Sequence, residues 1–203
     1  MPIYHQWQQG AHLKAAIWKI EESEAFFNVA TGLTTDKKFE HKRLEYLSCR
    51  YLLSLLAPEI ILSHIVATPL GKPYVPESDL QFSLSHSYPF VAAAVNYKGH
   101  VGIDIQRKEN KIVRLQHKFL SDQEQALCQN DVQLLNLAWT AKEATFKHYG
   151  LGAVDFIQHM PIEAMELTDD KASVLIQFNK PEIQYPQNLH GGVDEDFAWS
   201  VTI

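Results

Sequence analysis

The chain has 203 residues, 46% hydrophobic and 21% charged, which suits one sizeable globular unit or two small subdomains sharing a core. That balance excludes a disordered, collagen-like or disulfide-stapled chain. A formal net charge of −6 argues against general nucleic-acid binding, which rewards a basic surplus. Cys49 and Cys128 both fall in helix-like patterns and read as reduced thiols. The opening MPIYHQWQQG has neither a basic n-region nor an apolar h-region. Apolar runs such as FVAAAV (90–95) fall far short of the ~18 residues a membrane helix needs, so the expected address is the cytoplasm, with no membrane partner.

In chain order, HLKAAIWKI (12–20) predicts a first strand and EESEAFFNVATGL (21–33) a short helix with glutamates at its N-terminus. Asp36 is expected to cap a longer helix in which Leu44, Leu47, Tyr51 and Leu55 recur at helical spacing, ended by Pro58. IILSHIV (60–66), FSLS (82–85), FVAAAVNY (90–97) and HVGIDIQ (100–106) read as strands separated by the turn signals GKP, PESD and NYKG. SDQEQALCQ (121–129) reads as a capped helix, and a longer helix runs from Val132 to Tyr149, stopped by Gly150 and Gly152. Strands at DFIQHM (155–160), KASVLIQF (171–178) and FAWSVTI (197–203) close the chain. The expected fold class is α+β, with two α+β subdomains, 1–98 and 99–203, packed as one body.

Three stretches stand out chemically. In VGIDIQ (101–106), strand alternation sends Val101, Ile103 and Ile105 to one face and Gly102, Asp104 and Gln106 to the other, so Asp104 faces a cleft or solvent. In LAWTAKEATFKHYG (137–150), Trp139, Lys142, Glu143 and Phe146 share one helical stripe, and Glu143 and Lys147 are i, i+4 neighbours. The helix is apolar nearly all round before Lys142, so charges interrupting a buried stripe suggest a partner such as a metal or phosphate. In FSLSHSYPF (82–90), Ser85 and His86 are adjacent on a strand and point apart, so they form no dyad, and there is no G-x-S-x-G elbow. Their hydroxyls and imidazole suit the gripping of an anion. H-E-x-x-H, C-x-x-C, G-x-G-x-x-G and Walker patterns are all absent.

Taken in order, GKP (71–73), SHS (85–87), GID (102–104) and WTAKEATFK (139–147) resemble the signature series of the 4′-phosphopantetheinyl transferase superfamily, in its longer, Sfp-type form. The resemblance implies an intramolecular pseudodimer of similar α+β halves with the site between them. It also implies a Mg²⁺-dependent holo-[acyl-carrier-protein] synthase activity, in which the phosphopantetheine arm of coenzyme A passes to a serine of an apo acyl or peptidyl carrier protein. Adenosine 3′,5′-bisphosphate is the other product. By the same resemblance Asp104 and Glu143 hold Mg²⁺, Lys147 neutralises the pyrophosphate with Lys142 nearby, and Glu143 accepts the serine proton. Arg50, Lys72, Ser85 and His86, with Arg43 more weakly, would bind the 3′-phosphate end of the coenzyme. The chain departs from the pattern at Gln106, where a second acid often stands, and at Ser83 and Tyr88, which flank S-H-S in place of the usual Asn and Gly. A neutral Gln106 amide can still bind the ion weakly or through water.

Two other readings compete with this one. A nuclease of the Asp…Glu-x-Lys kind wants that triplet on a strand, whereas Lys142 to Lys147 lie on a helix. A degenerate homologue that binds coenzyme A or carrier protein without turnover takes its support from Gln106. Carrier proteins are typically acidic around the modified serine, so the run Arg107, Lys108, Lys111, Arg114, Lys118 is the expected docking surface. Both halves of the site come from one chain, so a monomer suffices.

Overall fold

A computed structural model describes residues 3–203; residues 1 and 2, where the segment read for a leader begins, lie outside it. The elements in chain order are β1 (His5–Gln9), β2 (Leu13–Lys19), α1 (Glu24–Thr31), α2 (Glu40–Leu56), β3 (Val66–Ala67), β4 (Pro73–Tyr74), β5 (Gln81–Ser87) and β6 (Phe90–Asn96). There follow β7 (Ile103–Arg107), α3 (Ile112–Leu115), α4 (Asp122–Cys128), α5 (Val132–Tyr149), β8 (Ile162–Thr168), β9 (Lys171–Lys180), β10 (Ile183–Val193) and β11 (Phe197–Thr202).

The strands form two antiparallel sheets, β1-β2-β6-β5 and β7-β11-β10-β9-β8, plus the small ribbon β3-β4 that presents the GKP turn. Three apolar clusters stack these parts. Alternation on β6 sends Val91, Ala93 and Val95 to α2, where they meet Leu47, Leu52 and Leu53. Phe90, Ala92 and Ala94 go the other way, against Ile103, Ile105 and Val201 of the second sheet. That sheet's outer face buries α5 through Ala138, Ala141 and Ala144, with Ile176, Phe178 and Leu189. The order helix, sheet, sheet, helix places β7 beside both the first sheet and α5, and the site is built there.

The capped helices form where the sequence places them. Ser121 and Glu124 close a capping box on α4, and Asp131 accepts the N–H groups of Gln133 and Leu134 at the start of α5. Gly150, at φ 73°, ends α5 with its N–H on Phe146 O. Several expectations are corrected. The residue before α2 is Phe39, with no side-chain cap, so Asp36 does not serve, and Leu55 is exposed. IILSHIV is not a strand but a 3₁₀ turn (Leu62–His64) leading into the two-residue β3, because most of its side chains face solvent and have no sheet to join. DFIQHM is a turn held by the Asp155 carboxylate on the N–H groups of Ile157 and Gln158. Strands β1, β4, β8 and β10 and the short helix α3 were not foreseen. No described helix is long and apolar enough to cross a membrane.

The face of β7 that carries Gly102 and Asp104 is covered by α5 rather than open. A Cβ on Gly102 would collide with Ala144 O and lie 2.7 Å from His148 N. Gly102→Ala is therefore expected to push α5 off β7 and to cost about 3 kcal/mol, read as a lowered urea midpoint at unchanged slope.

Candidate active site

Asp104 is 6% exposed, where strand β7 passes under the last turns of α5. Its Oδ1 accepts two strong hydrogen bonds, from Lys147 Nζ at 2.7 Å and from Ser85 Oγ at 2.6 Å. Lys147 also donates to Ile103 O at 3.1 Å. One turn earlier on α5, the Glu143 carboxylate makes no hydrogen bond or ion pair among the described residues. Burial, reinforced by the Asp104 charge and opposed by Lys147, pushes its carboxyl up to about 7. The expected constellation Asp104, Glu143 and Lys147 is thus assembled from two elements. Lys147 gives its charge to Asp104 across the strand–helix contact rather than to Glu143 along the helix.

Lys142, expected nearby, turns away. It is fully buried, and its ammonium is spent on Glu124 Oε1 at 2.6 Å, Phe119 O at 2.8 Å and Phe156 O at 2.9 Å. Burial lowers its pKa, with Glu124 opposing. The first lysine of WTAKEATFK is a structural hub here.

Arg50 and His86 line a cavity of about 420 Å³ with Lys37 and Lys42. The Arg50 guanidinium lies 3.4 Å over the Tyr46 ring and donates to Tyr46 O. Glu45, 3% exposed, receives Lys42 at 2.8 Å and His86 at 3.2 Å, and accepts the N–H of Tyr88. Burial alone would raise its pKa, but the bonds from His86 and Lys42 prevail and hold it at about 2. Lys72, expected with Arg50, instead lines an adjoining cavity of about 230 Å³ that also contains Lys147. The two cavities share Gly71, Pro73 and Leu84, so a basic furrow crosses the GKP turn toward Lys147. Arg43 does not enter it: its guanidinium binds Glu24 and the carbonyls of Lys37 and Lys38, tying α1 to the start of α2. Ser85 is 6% exposed and engaged with Asp104. Lys42 and Glu45 read in the sequence as part of a solvated charged patch and Tyr46 was not singled out, although their i, i+3 and i, i+4 spacings to one another and to Arg50 on a buried helix could have signalled them.

Gln106 follows Asp104 on the same face, half-buried, with Nε2 donating to Arg107 O at 3.3 Å. It sits at the edge of a third cavity, about 540 Å³, with apolar walls that include Phe119, Trp139 and Phe156 and a rim that includes Arg107, Lys111 and Lys118.

Among the described residues, no three His, Cys, Asp or Glu side chains converge as metal ligands. Asp104 and Glu143 are nonetheless two hard oxygen donors, one lifted toward neutrality in part by the other's charge. That set fits Mg²⁺, which takes one or two carboxylates and keeps several waters, and does not fit a closed Zn²⁺ or Ca²⁺ cage. Cys49 and Cys128 are free and buried, and burial pushes their thiols up to about 12 and about 11, so neither is a nucleophile.

Lys147 joins the basic furrow to the Asp104 carboxylate, with Glu143 one turn away on α5, an arrangement suited to phosphate esters. A family model for the 4′-phosphopantetheinyl transferase superfamily matches residues 100–202, the half that supplies Asp104, Glu143 and Lys147. No curated protein matches the chain. The chain belongs to the 4′-phosphopantetheinyl transferase superfamily, and its class is that of a transferase.

Proposed function

We propose that this protein is an Sfp-type, pseudodimeric holo-[acyl-carrier-protein] synthase, acting in the cytoplasm as a monomer. It would move 4′-phosphopantetheine from coenzyme A to a serine of an apo acyl or peptidyl carrier protein. The observation that carries the reading is the Asp104–Lys147 pair at 2.7 Å, with Glu143 one turn earlier on the same helix as Lys147. A sheet with a helix on its outer face in each half, 1–98 and 99–203, supports the pseudodimer.

In this reading the basic furrow binds the coenzyme. Arg50 and His86, with Lys37 and Lys42, hold the 3′-phosphate end, and Lys72 and Lys147 lie along the path of the pyrophosphate. Asp104 and Glu143 would hold Mg²⁺, which supplies charge neutralisation of the pyrophosphate when bound. Glu143 accepts the proton of the carrier serine, directly or through water. The serine oxygen then forms the new bond to the pantetheine-bearing phosphorus. The bond from that phosphorus to adenosine 3′,5′-bisphosphate breaks. The cavity beside Gln106 lies past Asp104 along β7 and offers apolar walls for the pantetheine arm.

The test is intact-mass analysis of an apo carrier incubated with the protein, coenzyme A and Mg²⁺. A phosphopantetheine mass gain is expected, abolished by Asp104→Ala. Its absence across fatty-acid, polyketide and peptide-synthetase carriers would overturn the reading. Arg107, Lys111 and Arg114 are exposed, two of them at the rim of the cavity beside Gln106, and are proposed to meet the acidic carrier. Reversing all three charges is expected to slow modification about 10-fold or more at low salt, through encounter rather than turnover. An unchanged rate would remove the docking assignment.

A further inference from the structure

Strands β5 and β7 are edge strands of different sheets, yet they run together. The outward N–H groups of an edge strand need partners once buried. Here the partners are hydroxyls: Ser83 Oγ accepts Ile103 N at 3.1 Å, Ser85 Oγ accepts Ile105 N at 3.3 Å, and Ser87 Oγ accepts Arg107 N at 3.0 Å. Alternation puts the three serines of S-L-S-H-S on one face, and β7 offers its N–H groups at the same two-residue period. A ladder of side chains replaces the missing backbone pairing and fastens the strand carrying Asp104 to the first sheet.

Ser85 does one thing more. With Ile105 N–H held on its oxygen, it gives its single proton to Asp104 Oδ1 at 2.6 Å. Ser83 and Ser87 make no such bond among the described residues. Lys147 takes the same Oδ1, and Oδ2 accepts no hydrogen bond among the described residues. The carboxylate is therefore fixed from one side, with its second oxygen left for a ligand. A hydroxyl committed in this way has no proton for a phosphate.

We propose that Ser85 is a positioning residue that orients Asp104 for a divalent cation, and that it is not a ligand of the coenzyme. The assignment rests on the reading of Asp104 as a metal ligand given above. Its test is Mn²⁺ affinity, measured by electron paramagnetic resonance on the full chain without carrier, alongside coenzyme A affinity by calorimetry at saturating Mg²⁺. Ser85→Ala is expected to weaken Mn²⁺ about tenfold, the effect usual for loss of a partner behind a metal ligand, with coenzyme affinity within about twofold of wild type. Ser87→Ala, which loses a ladder bond but touches no acid, should leave Mn²⁺ affinity within about twofold, and Ser85→Thr should retain it. If Ser85→Ala does not fold, Ser85→Cys, similar in shape but a weak donor, carries the same expectation. Weakened coenzyme binding with intact Mn²⁺ affinity would make Ser85 a phosphate ligand and overturn the proposal. Equal Mn²⁺ losses in Ser85→Ala and Ser87→Ala would reduce it to a general effect of the ladder. If wild type shows no Mn²⁺ site sensitive to Asp104→Ala, the metal reading falls as well; a wild-type site indifferent to Ser85→Ala removes this inference alone.

Discussion

Lys142→Ala is expected to destabilise the fold by about 3–5 kcal/mol, the range for breaking one side of a buried ion pair. The substitution strands the Glu124 carboxylate, which is 3% exposed, and leaves the carbonyls of Phe119 and Phe156 without their donor. Glu124 also accepts the N–H of Ser121 in the capping box of α4 and that of Ile162 at the start of β8. One salt bridge therefore joins α4, α5, the turn at Phe119, the loop at Phe156 and an edge strand. Pairing Lys142→Met with Glu124→Gln should recover much of the loss, since two neutral groups of similar volume replace two charges. Urea denaturation at neutral pH measures both. The same variants decide whether Lys142 serves the coenzyme. A phosphate ligand would show a raised KM at normal stability, whereas the buried hub gives a lowered midpoint and near-normal turnover per folded molecule.

The comparison of Lys142 with Lys147 shows what the sequence could and could not convey. Asp104, Glu143 and Lys147 were singled out by the motifs of the family resemblance, since an acid on a strand and an acid–base pair at i, i+4 would by themselves read as a wet sheet face and an ordinary surface pair. Lys142 belongs to the same motif as Lys147, but its partner is Glu124, on a different helix. Only tertiary packing separates the two lysines. Ser85 is similar: its residue type suits an anion, and its actual partner emerges when β5 meets β7. Helix α5 was readable from its apolar run and its stop at Gly150, whereas its cap, Asp131, is a local signal that went unread. Strand β10 was not, since Pro186, Gly191 and Gly192 all argue against a strand. Its glycines exist for close approach: a Cβ on Gly191 would lie 2.5 Å from Trp199 O, and one on Gly192 would lie 2.9 Å from the Trp199 indole nitrogen.

Glu143→Gln should sharply slow transfer and stabilise the protein. In the absence of divalent cations, the wild-type carboxyl titrates near 7 when folded and near 4.5 when unfolded, so between those values the folded state holds the extra proton. Stability from this group is full below pH 4.5 and is lost as pH rises to about 7, by on the order of 2–3 kcal/mol. The amide has the same shape and no charge to desolvate beside Asp104, so the variant lacks this slope and should exceed wild type above pH 7. His148 slopes the other way: burial, then His100 and Lys72, hold it down at about 4, so its contribution is present above pH 6.5 and fades as pH falls toward 4. It is common to both proteins and cancels in their difference. Mg²⁺ should close the gap, because binding to two carboxylates raises the wild-type midpoint by mass action and has less to hold in the variant. Loss of the proton acceptor is expected to lower transfer by ~10³-fold or more. Urea midpoints of both proteins from pH 4 to 8, with chelator and with Mg²⁺, measure the effect. A wild type more stable than Glu143→Gln in chelator at pH 8 would show that the Glu143 carboxylate has a partner in the folded protein other than the cation.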